Sequence, residues 1–187
     1  MEGAKSYEGI DSYRRVEPLL NGGGTRLMII SPFISPYYSR MLLRAAGRKK
    51  IRIITSGSEI NRNALKAMQY GRARGYAKVL LYLFVLAAIL FYFGLYAFAA
   101  VAGAAFAAVL GLFVAGSRRK SPIDVKVMRD VFVHEKVYIS DNRAVVGSAN
   151  LTYSGMHRNL EHTEVIDDLQ EVSRLASHFE KLWDSAG

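Results

Sequence analysis

The chain contains no cysteine. Disulfides, a thiolate nucleophile and thiolate zinc sites are therefore excluded. It is also short of acid: 16 Asp and Glu stand against 25 Lys and Arg, a formal net charge of +9. That balance implies an anionic partner, either a nucleic acid or a lipid headgroup layer. Part of the excess has another use. Arg72, Arg74, Lys78, Arg118, Arg119 and Lys120 bracket a stretch, Val79 to Ser117, that lacks charge altogether. Outside that stretch there is no repeat and no low-complexity tract. Met1 to Arg15 is polar and mixed in charge, and does not read as a cleavable signal peptide.

A helix needs about 20 apolar residues to cross the hydrocarbon core, and the uncharged stretch is nearly twice that long. It reads as a hairpin of two spans, roughly 77–96 and 98–117, joined by a tight turn near Gly94 and the Tyr96–Ala97 junction. The first span is bulky. The second carries Ala100, Ala104 and Ala108, and likewise Gly103, Ala107 and Gly111, at spacing four. Small residues at that spacing let helices approach closely within a bilayer. Basic residues at both ends place both ends in the cytoplasm. The flanking segments also read as halves of one fold, which requires an even number of crossings. The expected location is thus the cell membrane, with two spans and the catalytic domain cytoplasmic.

The charged segments read as an α/β domain with a mostly parallel or mixed sheet. Strands are expected at Arg26–Ser31, Ile51–Thr55, Ile123–Met128, Phe132–Ile139, Arg143–Val146 and Glu161–Ile166. Helices are expected at Tyr37–Gly47, from an N-cap at Ser58 to about Lys78, and over Asp167–Ser185 with Leu169, Val172, Leu175, Phe179 and Leu182 on one face. The domain plan is a first half over 1–76, the membrane hairpin over 77–117 and a second half over 118–187.

The chemistry is concentrated in the second half. On a strand, alternate residues share a face, so His134 and Lys136 point the same way. A histidine can be a nucleophile at neutral pH, and a lysine beside it can hold phosphoryl oxygens and their developing charge. Ser148 and Asn150, on a turn led by Gly147, can add neutral donors, and Asn159 is a further candidate to bind substrate. Glu161 could fix the tautomer of the imidazole. No other residue set calls for a metal or cofactor. His157 and His162 have a poor spacing for ligands on one helix face and read as surface or loop residues. His178 reads as exposed or at the edge of the last helix's apolar face, and Trp183 as core or interface. Arg44, Arg48, Lys49 and Lys50 form either a solvated helix end or a phosphate track.

The order His134-x-Lys136, four residues, Asp141, then Gly147-Ser148 and Asn150, with Asn159-x-Glu161 downstream, resembles the HKD motif of the phospholipase D superfamily. The gap from Asp141 to Gly147 is one residue short of the usual pattern and falls in a turn. Leu27–Pro32 and Ile51–Ser56 look like that family's opening strands, so the resemblance covers most of the chain outside the hairpin. It implies a phospholipase D-like fold and a metal-independent phosphodiesterase in which one histidine forms a phosphohistidine and a second protonates the leaving group. The catalytic set it implies is His134, Lys136, Ser148, Asn150 and Glu161, with Asp141 in the motif but expected to tie a turn or an interface. Only His134 lies in a His-x-Lys, so the second half of the site is expected from another copy, giving a homodimer.

The superfamily contains nucleases and lipid enzymes, so fold does not settle substrate. Three readings stand: a membrane-anchored nuclease, a phospholipid headgroup hydrolase or phosphatidyltransferase, and a catalytically silent nucleic-acid-binding protein. The hairpin is inserted before the strand at Ile123, on the edge of an open α/β sheet opposite its usual site edge. That placement and the positive charge favour a nucleic acid.

Overall fold

The computed structural model describes residues 4–117 and 123–186. The chain divides into two compact units, Met1–Met68 with Pro122–Gly187, and Gln69–Ser121. The division falls within a helix rather than at residue 76, because that helix, α3, runs unbroken from Arg62 to Tyr92.

The first unit holds a seven-stranded mixed sheet. In chain order its strands are β1 (Lys5–Gly9), β2 (Arg26–Ile30), β3 (Lys50–Ser56), β4 (Ile123–Met128), β5 (Val137–Ile139), β6 (Ala144–Gly147) and β7 (Glu161–Ile166). Their spatial order is β1-β7-β6-β5-β2-β3-β4. The trio β2, β3 and β4 is parallel, and every other neighbouring pair is antiparallel. The helices of this unit are α1 (Tyr13–Asn21), α2 (Pro36–Ala45), the start of α3, α5 (Tyr153–His157) and α6 (Leu169–Ser185).

Strand alternation divides the core into two layers. Leu27, Ile29, Ile51, Ile53, Tyr138 and Val145 pack against Val16, Leu20, Leu42, Ala64 and Met68 from α1, α2 and α3. Met28, Ile30, Ile54, Val137, Ile139 and Ala144 pack against Val172, Ala176 and Phe179 of α6. Asp168 caps α6 by accepting the Glu171 N–H at 2.9 Å. Arg52 reaches across from β3 to Glu180 and stacks over Phe179 and Trp183, 5.3 Å from each centroid.

Three sequence expectations change. The polar N-terminus supplies β1, paired with β7, and α1. The strand expected over Phe132–Ile139 shrinks to Val137–Ile139. Its partner β2 stops at Ile30, where Ser31 N–H turns to Ile54 O and Pro32 has no N–H to offer. Lys49 is buried and neither solvated nor on a phosphate track; its Nζ donates to Leu19 O at 2.6 Å and Gly23 O at 3.3 Å, closing the end of α1.

The second unit is an antiparallel helix pair, the apolar part of α3 and α4 (Tyr96–Ser117). The turn is at Phe93–Leu95, at the expected Gly94 and just ahead of the Tyr96–Ala97 junction. Gly94 has φ +74°, a left-handed conformation that stops α3. Leu95 N–H donates to Leu90 O at 3.0 Å and Gly94 N–H to Phe91 O at 3.1 Å, so the helix end is satisfied internally. Phe84 meets Phe106, and Phe91 meets Tyr96, across the pair. Most large side chains are exposed, including Leu81, Tyr82, Phe84, Phe91, Tyr92, Phe98 and Val101. Among the described residues one helix, Tyr96–Val114, is long and apolar enough to cross a membrane. Its neighbour α3 is apolar over Lys78–Tyr92 among the described residues. Of the flanking charges, Arg118, Arg119 and Lys120 lie outside the described residues, as do the side chains of Arg72 and Arg74.

Candidate active site

The loops at one edge of the sheet carry the chemistry. This is the edge where parallel strands β2, β3 and β4 end and antiparallel strands β5 and β7 begin. The chain re-enters the sheet from the helix pair at Ile123, which pairs with Ile51 at the opposite edge.

His134 and Lys136 lie just ahead of β5. Although unpaired with β2, the segment is held extended by Ser56 Oγ donating to Val133 O at 3.1 Å and Gly147 N–H donating to Lys136 O at 3.1 Å. The imidazole is exposed, while Lys136 is buried. Lys136 Nζ sits 3.1 Å from His134 Nδ1 and donates to the His134 carbonyl at 2.5 Å. Burial lowers the Lys136 pKa below its ordinary value, and the Glu161 carboxylate opposes that shift. A buried lysine is thus fixed beside the His134 ring at the expense of its own solvation. Phe132 and His134 rings are 6.1 Å apart, and Phe33 lies behind Phe132 at 6.0 Å.

Ser148 follows β6, where Gly147 lets the strand press on β7. Ser148 N–H donates to His162 O at 2.9 Å, and His162 N–H donates to Ser148 Oγ at 3.0 Å. The Ser148 hydroxyl donates in turn to Glu161 Oε2 at 2.5 Å, and Asn159 Nδ2 donates to Glu161 Oε1 at 3.2 Å. Glu161 therefore spends both oxygens on Ser148 and Asn159, and holds no hydrogen bond to His134 of its own chain. Asn150 lies on the following turn; its Oδ1 is buried without a partner among the described residues.

Asp141 is not brought to this cluster. It sits in the β5–β6 turn at the other edge, seven residues of extended chain from His134, on the order of 20 Å. There it accepts Thr25 N–H at 2.6 Å and Thr25 Oγ1–H at 3.2 Å, and Arg26 lies 3.5 Å away. It fastens the loop before β2, where Gly24 at φ +114° passes against the carboxylate.

Several positioning residues carry no motif and were missed in the sequence. Asn61 is fully buried just before α3. Its Oδ1 accepts Ile34 N–H at 2.9 Å, and its Nδ2 donates to Pro32 O and Ser56 O at 2.8 Å each. Ser31 Oγ accepts Leu151 N–H at 3.0 Å, and Tyr138 OH donates to Ala149 O at 2.7 Å. Asn61 thus ties the Pro32–Ile34 turn to the end of β3, while Ser31 and Tyr138 hold the Ser148–Leu151 segment to the end of β2 and to β5. The only sequence signal was polarity at positions between apolar neighbours. His157 is no loop residue: it is sandwiched between Tyr13 and Tyr153, with Nε2 3.2 Å from Tyr38 OH. His162 is exposed on β7, and His178 on α6 lies 2.9 Å from Glu135. Among the described residues no three His, Asp or Glu side chains converge to hold a metal ion.

An exposed imidazole, an adjacent lysine and neutral donors at one sheet edge of an α/β domain form a group whose chemistry suits a phosphodiester. The chain belongs to the phospholipase D superfamily: the family profile described as "Cardiolipin synthase, PLD-like domain" matches residues 18–183. No curated protein matches the sequence significantly. Among solved structures the chain is similar to a phospholipase D family member, Nuc from Salmonella typhimurium, at 16% identity and TM-score 0.60, over 97% of this chain and 95% of that one. It is similar to NucT from Helicobacter pylori at 15% identity and TM-score 0.59, over 98% of each chain. It also resembles TrmBL2, an archaeal chromatin protein with a novel mode of DNA binding, at 13% identity and TM-score 0.56, over 100% of this chain and 54% of that one. At these identities the likeness is one of fold.

Proposed function

We propose that the protein is a membrane-anchored, metal-independent phosphodiesterase that cleaves nucleic acid through a phosphohistidine at His134, in a homodimer. The observation that carries this reading is the 3.1 Å approach of Lys136 Nζ to the exposed His134 ring. An imidazole nitrogen attacks phosphorus, and the bond to the leaving oxygen breaks. That oxygen takes a proton from the imidazolium of a second His134, supplied by another copy. Water then attacks the phosphorus, giving its proton to the same second imidazole, and the phosphorus–nitrogen bond breaks to release His134. Lys136, with Ser148 and Asn150, binds the phosphoryl oxygens, and Glu161 and Asn159 hold Ser148. The need for another copy follows from the other three histidines, each engaged away from a His-x-Lys. Nucleic acid is favoured by the net charge of +9.

The anchor is the helix pair of 77–117, spanning twice with both ends in the cytoplasm.

A second reading, a phospholipid headgroup hydrolase or phosphatidyltransferase, is favoured by exposed Ile60, Val131, Phe132 and Leu160 at the site edge. The test is detergent-solubilised wild type and H134A, in EDTA, offered labelled single-stranded nucleic acid and mixed phospholipid micelles. Cleavage of nucleic acid by wild type alone is expected. Headgroup release alone establishes the lipid enzyme, and binding without turnover of either substrate establishes a silent nucleic-acid-binding protein.

A further inference from the structure

A cleft of about 710 Å³ opens beside His134 and runs to α6. Its volume is that of a small-ligand site, larger than a single phosphoryl group requires. His134 and Lys136 form one end. The other is formed by Arg174 and His178, one helical turn apart on α6, with Leu175 and Val146 as apolar lining. Glu135 is the one acidic side chain among the lining residues, and its Oε2 already meets His178 Nε2 at 2.9 Å. The pair ties α6 to the segment carrying the nucleophile. Arg174 is 74% exposed, and its partner is Glu171 on the same helix, with Nε to Oε2 at 2.8 Å. Exposed pairs of this kind contribute little, so the guanidinium is free to exchange a carboxylate for a phosphate.

We propose that this cleft is a subsite for the nucleotide adjoining the scissile phosphodiester, with Arg174 holding its phosphate and Leu175 and Val146 its sugar or base. The inference rests on the nuclease reading and adds to it where the polymer runs: from His134 along α6. Neither Arg174 nor His178 belongs to the motif, and Arg174 touches none of the reacting groups. Its contribution is therefore specific to substrates that have a second phosphate.

The test compares a single-stranded oligonucleotide with bis(4-nitrophenyl) phosphate, which has one phosphate and no neighbour, using full-length detergent-solubilised wild type, R174A and R174K. The ratio of kcat/KM on the oligonucleotide to kcat/KM on the small diester is expected to fall about tenfold in R174A, mainly through KM. R174K, which keeps the charge, is expected to recover most of it. An unchanged ratio in R174A, or equal loss on both substrates, overturns the subsite. Wild type that cleaves the small diester but no oligonucleotide overturns the nuclease reading and the subsite together. Arg174 is exposed, so its removal leaves the fold intact for all of these measurements.

Discussion

Replacing Gly147 by alanine tests whether close packing of β6 on β7 sets the position of Ser148 and Glu161. A methyl at residue 147 would overlap the His162 carbonyl oxygen, with Thr163 Cα at 3.0 Å and the His162 carbonyl carbon at 3.1 Å. The obstacle is backbone and cannot rotate aside, so the strands must part by roughly 1 Å to reach an ordinary carbon–oxygen contact. The oxygen displaced is the acceptor of Ser148 N–H, and the same residue's N–H donates to Ser148 Oγ. Overpacking of this kind costs about 1–3 kcal/mol, and a lost backbone hydrogen bond adds about 1. The expected loss of about 2–4 kcal/mol lowers the melting temperature by roughly 4–16 °C for a domain of this size. A shift of about 1 Å in Ser148 and Glu161 lowers kcat on the order of a hundredfold. The assay is a fluorescence melt with kcat/KM on bis(4-nitrophenyl) phosphate, and G23A is the control, since a methyl at Gly23 meets nothing within 4 Å. Wild-type melting and turnover in G147A would refute the packing. A lowered melting temperature with full turnover of the folded fraction would refute the link from packing to chemistry.

Asp141→Ala is expected to cost about 1–3 kcal/mol by stranding Thr25 N–H and Oγ1, while the folded fraction turns over at the wild-type rate. A melt and an active-site titration check this; loss of turnover with unchanged melting would place Asp141 in the chemistry. Burial lowers the Lys136 pKa, so the rate is expected to fall on the alkaline side at a pH below 10.5, as the ammonium loses its proton. A pH–rate profile of K136R, whose guanidinium stays charged, should lack that limb, and its persistence would assign the limb elsewhere. The hydrogen bond from Arg52 holds Glu180 below its ordinary 4.5, so the pair's contribution is present above that pH and lost as pH falls through the depressed carboxyl. E180Q should therefore melt below wild type at neutral pH and together with it in strong acid; a gap independent of pH would mean packing rather than charge.

Strands β2 and β3 were legible because both of their faces are buried and their sequences, RLMII and KIRIITS, are short runs rich in Ile with Leu and Met. The edge strand β1 was not: KSYEG is largely exposed, pairs only with β7 and has no apolar signature. Helix α1 was hidden by an interior Pro18 and by having only Val16, Leu19 and Leu20 buried. The strand at Phe132 was read too long because an apolar run does not reveal where its partner ends. The helix pair was recognised from absent charge, but the position of its turn depended on the left-handed Gly94. In the site, His134, Lys136, Ser148, Asn159 and Glu161 came from spacing, and the structure places them at one edge. Asp141 shares the motif yet lies at the far end of a hairpin, since spacing along a strand says nothing about which end carries the chemistry. Asn61, Ser31 and Tyr138 were invisible because their roles are backbone hydrogen bonds across more than one element.

The position of the helix pair in the sheet's connectivity fixes an order of events during synthesis. β2 and β3 leave the ribosome before the helices, and β4 to β7 after them. The central pairing of Met28 with Ile139 cannot form until about 80 residues beyond β3 have been made, at about 5–20 residues per second a wait of roughly 4–16 s. During that interval β2 and β3 are a two-stranded parallel fragment with both outer edges open. The helix pair itself is synthesised within that interval. His134, Ser148 and Glu161 all follow the helix pair in the chain, so the site is assembled only after that pair has been made.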